Sequence, residues 1–319
     1  MSAPSVLRIG TRASALALWQ ARHVAQLIGA QRGAPDAPLR HISTAGDVQS
    51  EVPLWQADGR AFFTREIDRA LLEGTVDAAV HSLKDMPTQL DEGLTLAAVL
   101  ARADARDALV SRGGTPLAAL PRGARIGTSS LRRRAFLARL RPDAELLELR
   151  GNVPTRIERL QRGDYDAVVL AAAGLARLGL ERHVSEYLDP EDLPPAVSQG
   201  AIAVCARAGD AATLAWLAAL DDAPTRLAVS AERALLAHLQ GGCQVPLGAL
   251  ATLREGTLAL QASVCALDGS QRLSARAAVA TGRSGAAEAL GRRVAEQLLE
   301  RGAAALIAAV RATHAVEEP

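Results

Sequence analysis

Two stretches of this chain resemble each other, and together they decide the fold. Arg8-Ile-Gly-Thr-Arg-Ala-Ser14 is matched by Arg125-Ile-Gly-Thr-Ser-Ser-Leu131, and each runs from a strand end through Gly-Thr to a hydroxyl side chain at a helix start. Further on, Asp77-Ala-Ala-Val80 is matched in the same order by Asp166-Ala-Val-Val169. The common order predicts two similar α/β lobes, a type that commonly binds ligands at the carboxyl ends of its strands.

Short apolar strands alternate with helical patterns around the first stretch, which is typical of a mostly parallel, doubly wound sheet. We predict a helix over Ser14–Gln31 with Ser14 as its N-cap, because a serine hydroxyl can accept a hydrogen bond from the first helical turn. The polar stretch Gly46–Gly59 has no periodicity and is predicted to be a mobile loop. The other predicted elements are strands at Val6–Gly10, Leu39–Ile42 and Ala78–Val80, and a helix at Thr64–Glu73.

A third region follows Asp221-Asp-Ala-Pro224 and has a different pattern. Turn residues separate three runs that alternate as antiparallel strands do. A long amphipathic helix is predicted over Gly285–Arg311. The region is therefore predicted to be a small α+β domain, with a helix at 225–239 and strands at Leu247–Leu253, Thr257–Ala266 and Arg272–Ala280.

The composition is that of a globular protein with an arginine bias. The chain has 319 residues, of which 49% are hydrophobic, enough length and apolar surface for about two domains. Of the 36 basic residues, 35 are arginine and one, Lys84, is lysine. Asparagine also occurs only once in the chain, as Asn152. A coding bias that replaced lysine and asparagine wherever the fold allowed explains most of this pattern, so the positions of these two residues are informative.

Charge and cysteine usage exclude several classes of protein. A net charge of +1 provides no field that would attract nucleic acid or an anionic membrane. Cys205, Cys243 and Cys265 form no CxxC pair and are too few for a disulfide framework, which favours a reducing compartment. The N-terminus lacks a signal-peptide pattern, and no apolar run is long enough to span a membrane. We therefore expect a cytoplasmic protein without a zinc site, nucleic-acid partner or membrane anchor.

Arginine is concentrated at the predicted turns, where strands lead into helices. In a doubly wound lobe these turns share one edge of the sheet, so the guanidinium groups would converge. Arginine makes bidentate bonds to carboxylate or phosphate, and helix N-termini add N–H donors with the same preference. A ligand with several negative charges is predicted. The arginines at these turns are Arg12, Arg132, Arg133, Arg134, Arg150, Arg156 and Arg177.

Two further stretches carry reactive side chains. Lys84 and Asp85 follow the strand Ala78–Val80, where an ionised aspartate near arginines could stabilise a cation that forms during a reaction. An ordinary Lys-Asp turn pair is the alternative. Cys243 lies in the glycine-flanked loop Gly241-Gly-Cys-Gln-Val-Pro246 and is accessible to covalent attachment, whereas Cys205 and Cys265 lie in apolar strands and are interpreted as inert core residues.

In these residues and the motifs around them, the chain closely resembles one family, hydroxymethylbilane synthase, also called porphobilinogen deaminase. The similarity runs almost from end to end, and its motifs occur in the family's order. They are Ile9-Gly-Thr-Arg-Ala-Ser14, Ala17-Leu-Trp-Gln20, His81-Ser-Leu-Lys-Asp-Met-Pro87, Gly127-Thr-Ser-Ser-Leu-Arg-Arg133, Leu149-Arg-Gly-Asn-Val-Pro-Thr-Arg156, Ala173-Gly-Leu175, Pro195-Ala-Val-Ser-Gln-Gly200 and Gly241-Gly-Cys-Gln-Val-Pro246.

The resemblance implies a transferase of tetrapyrrole (porphyrin and haem) biosynthesis. Such an enzyme joins four porphobilinogen molecules head to tail with loss of ammonia and then releases linear hydroxymethylbilane by adding water. It implies a dipyrromethane cofactor held by a thioether to Cys243, and a monomer. It also implies two periplasmic-binding-protein-like lobes, at 1–100 with 200–218 and at 104–193, and a C-terminal α+β domain at 222–319 that carries the cofactor loop.

The resemblance also assigns roles to residues. Asp85 would be catalytic, stabilising the azafulvene cation that forms when ammonia leaves. Asn152, Gln199 and Gly200 are expected at the cleft or the hinge. The residues that match the family's contacts with cofactor and substrate carboxylates are Arg12, Ser14, Lys84, Thr128, Ser129, Ser130, Arg132, Arg133, Arg150, Arg156 and Arg177.

The chain departs from the family pattern at three places, and one rival interpretation stays open. Gln56 and Arg60 stand where the family often has loop lysines, Ser198 replaces a usual glycine, and Arg134 extends the arginine pair. The rival is a non-catalytic two-lobed protein that binds an oligoanion. It accounts for the arginines but not for Cys243 on its glycine loop.

Overall fold

The computed structural model describes residues 5–44, 64–240 and 245–315, and these residues form two units. The first unit contains residues 5–44, 64–103 and 200–226, and the second contains the other described residues. The sheet of the second lobe and that of the C-terminal domain both belong to the second unit. The three-domain boundaries given by the sequence stay a prediction.

The first lobe is built on a five-stranded sheet in the order β2-β1-β3-β10-β4, in which β10 alone runs antiparallel to its neighbours. The helix prediction at Ser14 is confirmed, because the Ser14 hydroxyl accepts a hydrogen bond from the Ala17 N–H at 3.3 Å. The elements are β1 (Ile9–Thr11), β2 (Leu39–His41), β3 (Ala78–Ser82), β4 (Leu94–Val99), β10 (Ile202–Arg207), α1 (Ala15–Gly29), α2 (Arg65–Leu72) and α6 (Ala211–Ala218).

The second lobe repeats this plan with the order β7-β6-β8-β5-β9, and here β5 is the antiparallel strand. The prediction of two similar, mostly parallel α/β lobes is therefore confirmed. The elements are β5 (Asp107–Ser111), β6 (Arg125–Gly127), β7 (Glu145–Leu147), β8 (Ala167–Ala171), β9 (Glu186–Tyr187), α3 (Leu131–Leu140), α4 (Val153–Arg162) and α5 (Ala172–Arg177).

Strand register gives a residue-by-residue correspondence between the lobes. Ile9 pairs with Ala78 as Ile126 pairs with Ala167. Four residues further along, Ser82 pairs with Ile202, and Ala171 pairs with Asp107. Ile202 and Asp107 thus occupy equivalent positions, and so do His81 and Leu170.

An ion pair with the same geometry occurs in both lobes. The Arg8 side chain donates to both oxygens of Asp77 at 2.8 Å and to the Gly74 carbonyl at 2.9 Å. Arg125 donates to both oxygens of Asp166 at 3.2–3.3 Å and to the Gly163 carbonyl at 2.9 Å. The matching sequence stretches therefore reflect a shared contact that joins strand, helix end and loop.

The C-terminal domain packs helices on the antiparallel sheet β11-β12-β13, around a core of aliphatic side chains. The prediction of one long helix over Gly285–Arg311 is wrong. The helix breaks at Arg301 and Gly302, because Gly302 adopts a φ of 97°, which does not continue a right-handed helix. The elements are α7 (Ala223–His238), β11 (Leu247–Arg254), β12 (Thr257–Cys265), β13 (Arg272–Ala280), α8 (Ala286–Glu300) and α9 (Ala303–Ala315).

Within the described ranges, no helix is both long enough and apolar enough to cross a bilayer.

Candidate functional site

Predicted site residues of the first lobe lie where two strands end. Arg12 follows β1, and Ser14 caps α1. Lys84 and Asp85 belong to a single 3-10 turn, Leu83–Asp85, that directly follows β3. Both are partly exposed. The prediction that they lie just past the carboxyl end of a strand is confirmed.

A buried histidine lies on β3, four residues before Asp85. His81 and Asp68 of α2 are both 5% exposed, and the His81 Nε2 lies 3.9 Å from the Asp68 Oδ1. Burial, with a smaller contribution from the Arg12 charge, lowers the pKa of His81 to about 4. Burial raises the pKa of Asp68 to about 6, a shift that the Thr64 hydrogen bond opposes and the charges of Asp91 and Glu66 increase. The histidine is therefore neutral at physiological pH.

The hydroxyl residues of the second lobe are used to fix the strand-to-helix turn. Ser130 is the N-cap of α3 and accepts from the Arg133 N–H at 3.4 Å. The Thr128 hydroxyl accepts from the Ser130 N–H at 3.2 Å, and the Ser129 hydroxyl donates to the Leu149 carbonyl. Thr128 and Ser129 are buried. The turn therefore presents the N-terminus of α3 in a rigid form.

Arg132 and Arg133, on the first turn of α3, converge on one carboxylate, that of Asp107. The Arg132 Nη1 lies 2.7 Å from the Asp107 Oδ2, and the Arg133 Nη2 lies 2.7 Å from its Oδ1. The Arg133 Nη1 also donates to the Val169 carbonyl at 2.8 Å. All three ionised side chains are at most 7% exposed. Burial alone would raise the pKa of Asp107, but the charges and hydrogen bonds of the two arginines hold it well below its usual value.

Three other predicted arginines surround the ends of α4 and α5. Burial lowers the pKa of Arg177 to about 10 and also lowers the pKa of Arg150. The Arg156 Nε donates to the Gly151 carbonyl at 2.7 Å. Asn152, the single asparagine, is the N-cap of α4 and accepts from the Thr155 N–H at 3.0 Å. Arg134 is partly exposed on α3.

The Ser198-Gln199-Gly200 stretch lies where the chain passes between the two units. Gln199 is fully buried, and its Nε2 donates to the Asp107 Oδ1 at 2.9 Å and to the Ala105 carbonyl at 2.8 Å. Ser198 has a φ of 64°, in the left-handed region that favours glycine, which accords with the glycine that the family resemblance leads us to expect at this position. Cys243 and the loop 46–59 lie outside the described residues.

Sequence reasoning missed two functional candidates, Asp107 and Asp68. Asp107 lies 26 residues before Arg133, Asp68 lies 13 residues before His81, and neither aspartate belongs to a motif. The doubling of arginine at 132 and 133 was the one available signal for Asp107, because two buried guanidinium groups require a nearby anion.

Fold and site together define a class: two-lobed α/β proteins with a third α+β domain, whose strand ends carry cationic side chains suited to a polyanionic ligand. A family model described as "Porphobilinogen deaminase, dipyromethane cofactor binding domain" matches residues 7–215, and one for the C-terminal domain of the same family matches residues 226–300. The chain belongs to the porphobilinogen deaminase family.

Curated relatives agree over nearly the whole chain. A porphobilinogen deaminase of Roseiflexus castenholzii is 49% identical over 95% of this chain and 98% of its own length. One from Syntrophotalea carbinolica is 47% identical over 97% of each chain. Among solved structures, the Bordetella pertussis BvgS VFT2 domain covers 72% of this chain and 92% of its own, with 16% identity and a TM-score of 0.42.

Proposed function

We propose that this chain is a hydroxymethylbilane synthase, a transferase that polymerises porphobilinogen with loss of ammonia and releases the linear tetrapyrrole by hydrolysis. The observation that carries this proposal is the family match, which spans both lobes and the C-terminal domain. The residues of the site support it, since the second lobe gathers two guanidinium groups around one carboxylate, which leaves the excess of positive charge that a carboxylate-rich product chain needs.

The residues present fit a dipyrromethane. Each of its rings carries carboxylates, and the Arg132 Nε is a buried donor without a hydrogen-bond partner among the described residues. Burial has also lowered the pKa of Arg177 and Arg150, so a carboxylate beside either would stabilise the charged form. Once attached to Cys243, the cofactor supplies a pyrrole ring on which substrate units can be joined. Arg132, Arg133, Arg150, Arg156 and Arg177, with Arg12, Ser14, Lys84 and the hydroxyls of Thr128, Ser129 and Ser130, would hold the carboxylates.

Asp85 has the chemistry that the reaction needs at the strand end. Loss of ammonia leaves a positive charge that spreads onto a pyrrole nitrogen. A carboxylate fixed on the short turn after β3 can accept a hydrogen bond from that N–H and stabilise the charge without reorganising. The same group can take up a proton after the new carbon–carbon bond forms.

The setting of the reaction is part of the proposal. Balanced charge argues against nucleic acid or membrane as a partner, and three scattered cysteines favour a reducing compartment, the cytoplasm. That the chain is a monomer, binds porphobilinogen and holds the cofactor as a thioether is proposed from its membership of the family. Gln199 and Gly200 are proposed to act at the hinge, since they lie where the chain passes from one unit to the other.

The test uses intact-protein mass and one isosteric variant. The purified chain is expected to exceed its sequence mass by one dipyrromethane, and Cys243→Ser is expected to remove that increment. Asp85→Asn is expected to keep the increment and to lose at least roughly a hundredfold in turnover, the scale of a lost charge-stabilising or proton-transfer group. An unmodified mass with full activity would contradict attachment, and near-normal turnover of Asp85→Asn would contradict its role. An oligoanion-binding protein would show neither the increment nor turnover.

A further inference from the structure

Within the second unit, the C-terminal domain holds the segment 194–199 on one side. The Pro195 carbonyl accepts a hydrogen bond from the Ala249 N–H of β11 at 2.9 Å. Gly248 lies so close that a Cβ on it would come within 2.3 Å of the Pro194 carbonyl oxygen. Backbone therefore meets backbone here, and the segment has little freedom to shift.

Glu232 of α7 completes this attachment from inside the core. Its side chain is fully buried, and its two oxygens accept from two main-chain donors, the Ser198 N–H at 2.6 Å and the Ala251 N–H at 2.8 Å. Hydrogen bonds to a buried carboxylate are stronger than those between neutral groups. They hold Ser198 in its left-handed conformation, which is unfavourable for a residue with a side chain.

On its other side the same segment contacts the arginine pair and its carboxylate. The Pro194 carbonyl accepts from the Arg132 Nη1 at 2.6 Å. One residue after Ser198, Gln199 donates from its Nε2 to the Asp107 Oδ1 at 2.9 Å. A continuous chain of short, buried contacts thus leads from α7 through the segment to Arg132 and Arg133.

The C-terminal domain also contacts the helix that carries these arginines. The Cys265 thiol donates to the Ala135 carbonyl of α3 at 3.5 Å, and the Arg139 Nη1 donates to the Gly269 carbonyl at 3.3 Å. Gly269 leaves no room for a side chain against the Arg139 backbone. The domain whose helix α7 leads into the Cys243 loop is therefore fixed both to α3 and to the segment 194–199.

We propose that Glu232, Gln199 and Asp107 are positioning residues for the guanidinium groups of Arg132 and Arg133. Through them, the C-terminal domain fixes the orientation in which the two arginines bind ligand carboxylates. None of the three needs to contact the ligand. The inference rests on the proposed function, in which the arginine pair binds carboxylates. Its physical basis is that a binding group acts at full strength only when its supporting contacts lock its geometry.

The test begins with Glu232→Gln. The carboxamide of glutamine has a single acceptor oxygen, whereas the Ser198 N–H and the Ala251 N–H each need one. The variant therefore loses one of these two hydrogen bonds while the shape of the side chain is kept. We expect the KM for porphobilinogen to rise roughly tenfold with kcat changed less than about threefold, because ground-state binding is lost. We also expect a smaller fraction of the protein to carry dipyrromethane, measured by intact mass after incubating the chain with porphobilinogen.

Gln199→Met is the second variant, since it removes the donor to Asp107 at nearly constant volume and without a new charge. It covers the case in which Glu232→Gln does not fold. The matched control is Asp166→Asn, which breaks an ion pair of the same lobe but touches neither the segment nor the arginines. It is expected to leave the KM and the loaded fraction at wild-type values.

The melting temperature of each variant separates positioning from loss of stability. The inference is overturned if Glu232→Gln and Gln199→Met lower the melting temperature while the KM and the loaded fraction stay within about twofold of Asp166→Asn. A wild-type chain that acquires no dipyrromethane at all would instead contradict the proposed function.

Discussion

His81 of the first lobe and Leu170 of the second lobe occupy the same position in two sheets of the same order, yet one is a buried titratable group and the other is aliphatic. Their neighbours differ in the same way. Asp68 and Ile157 each lie six residues before the glycine that accepts from Arg8 or Arg125, so they are equivalent. The first lobe has an Asp-His pair where the second lobe has two apolar residues.

The second lobe shows the reverse substitution. Asp107, which holds the arginine pair, is equivalent to the buried Ile202 of the first lobe. Counted from the capping serines, Arg132 and Arg133 correspond to Leu16 and Ala17. Each lobe therefore has apolar residues at the positions where the other lobe has buried polar or charged side chains. Buried charge is costly, so its presence at these points indicates function.

The largest effect on the free energy of unfolding is expected when residues of the first lobe replace the equivalent residues of the second lobe. Asp107→Ile leaves two buried guanidinium groups without their carboxylate and should lower the free energy of unfolding by about 3–5 kcal/mol. Adding Arg132→Leu and Arg133→Ala should restore most of that stability while abolishing porphobilinogen binding. Urea unfolding of the three chains measures this. A stable Asp107→Ile variant would show that the ion pairs do not matter to the fold, and the comparison would fail.

A smaller effect is expected when the apolar residues of the second lobe replace Asp68 and His81 of the first lobe. The two substitutions should change the pH dependence of stability in opposite directions. Asp68 has its pKa raised from 3.8 to about 6, so its contribution to stability is lost as pH rises through that range. His81 has its pKa lowered from 6.5 to about 4, so its contribution is lost as pH falls through that range. In the wild type the two slopes largely cancel.

Single variants should reveal each slope. Asp68→Ile leaves His81, and stability should fall by on the order of 2 kcal/mol between pH 6.5 and pH 4. His81→Leu leaves Asp68, with Glu66 and Asp91 near it, and stability should fall as pH rises from 4 to 6. The double variant should be nearly independent of pH in this range. Parallel curves for the two single variants, from urea unfolding at several pH values, would contradict the assignment.

The smallest effect concerns the ion pair that the lobes share. Asp77 also accepts from the Arg207 Nη2 at 3.2 Å and is 13% exposed, whereas Asp166 is 29% exposed. Asp77→Asn should therefore cost on the order of 1 kcal/mol more than Asp166→Asn, since a charged hydrogen bond is stronger when shielded from water. Thermal unfolding of both variants checks this. Equal costs would mean that the third partner, Arg207, adds nothing.

The sequence predicted what depends on neighbours along the chain. The capping role of Ser14 and the strand-end position of Lys84 and Asp85 follow from local pattern, and both are confirmed. The break at Gly302 was missed because the apolar periodicity continues through it. The contacts of Asp107 with Arg132, Arg133 and Gln199 could not be found from motifs. These residues come from β5, α3 and the segment 194–199, which meet only when the lobe is folded.

Lys84 and Asn152, the two single residues of their type, now have different explanations. Asn152 accepts from the Thr155 N–H and hydroxyl as the N-cap of α4, a local task for which asparagine is well suited. Lys84 lies on the turn with Asp85, and we predict that a compact ammonium group serves this position better than a guanidinium fork does. Its contact with a carboxylate stays a prediction.

The order of strands in the first sheet also affects how the chain is made. β10, the strand that lies between β3 and β4, begins at Ile202, after every strand of the second lobe, the last of which ends at Tyr187. During synthesis, β3 and β4 therefore emerge with facing edges unpaired, and they stay so until the whole second lobe has left the ribosome. Open strand edges invite association with other chains. The first lobe is translated first, yet its sheet is completed only after the second lobe, and in that interval it exposes strand edges that a chaperone could protect.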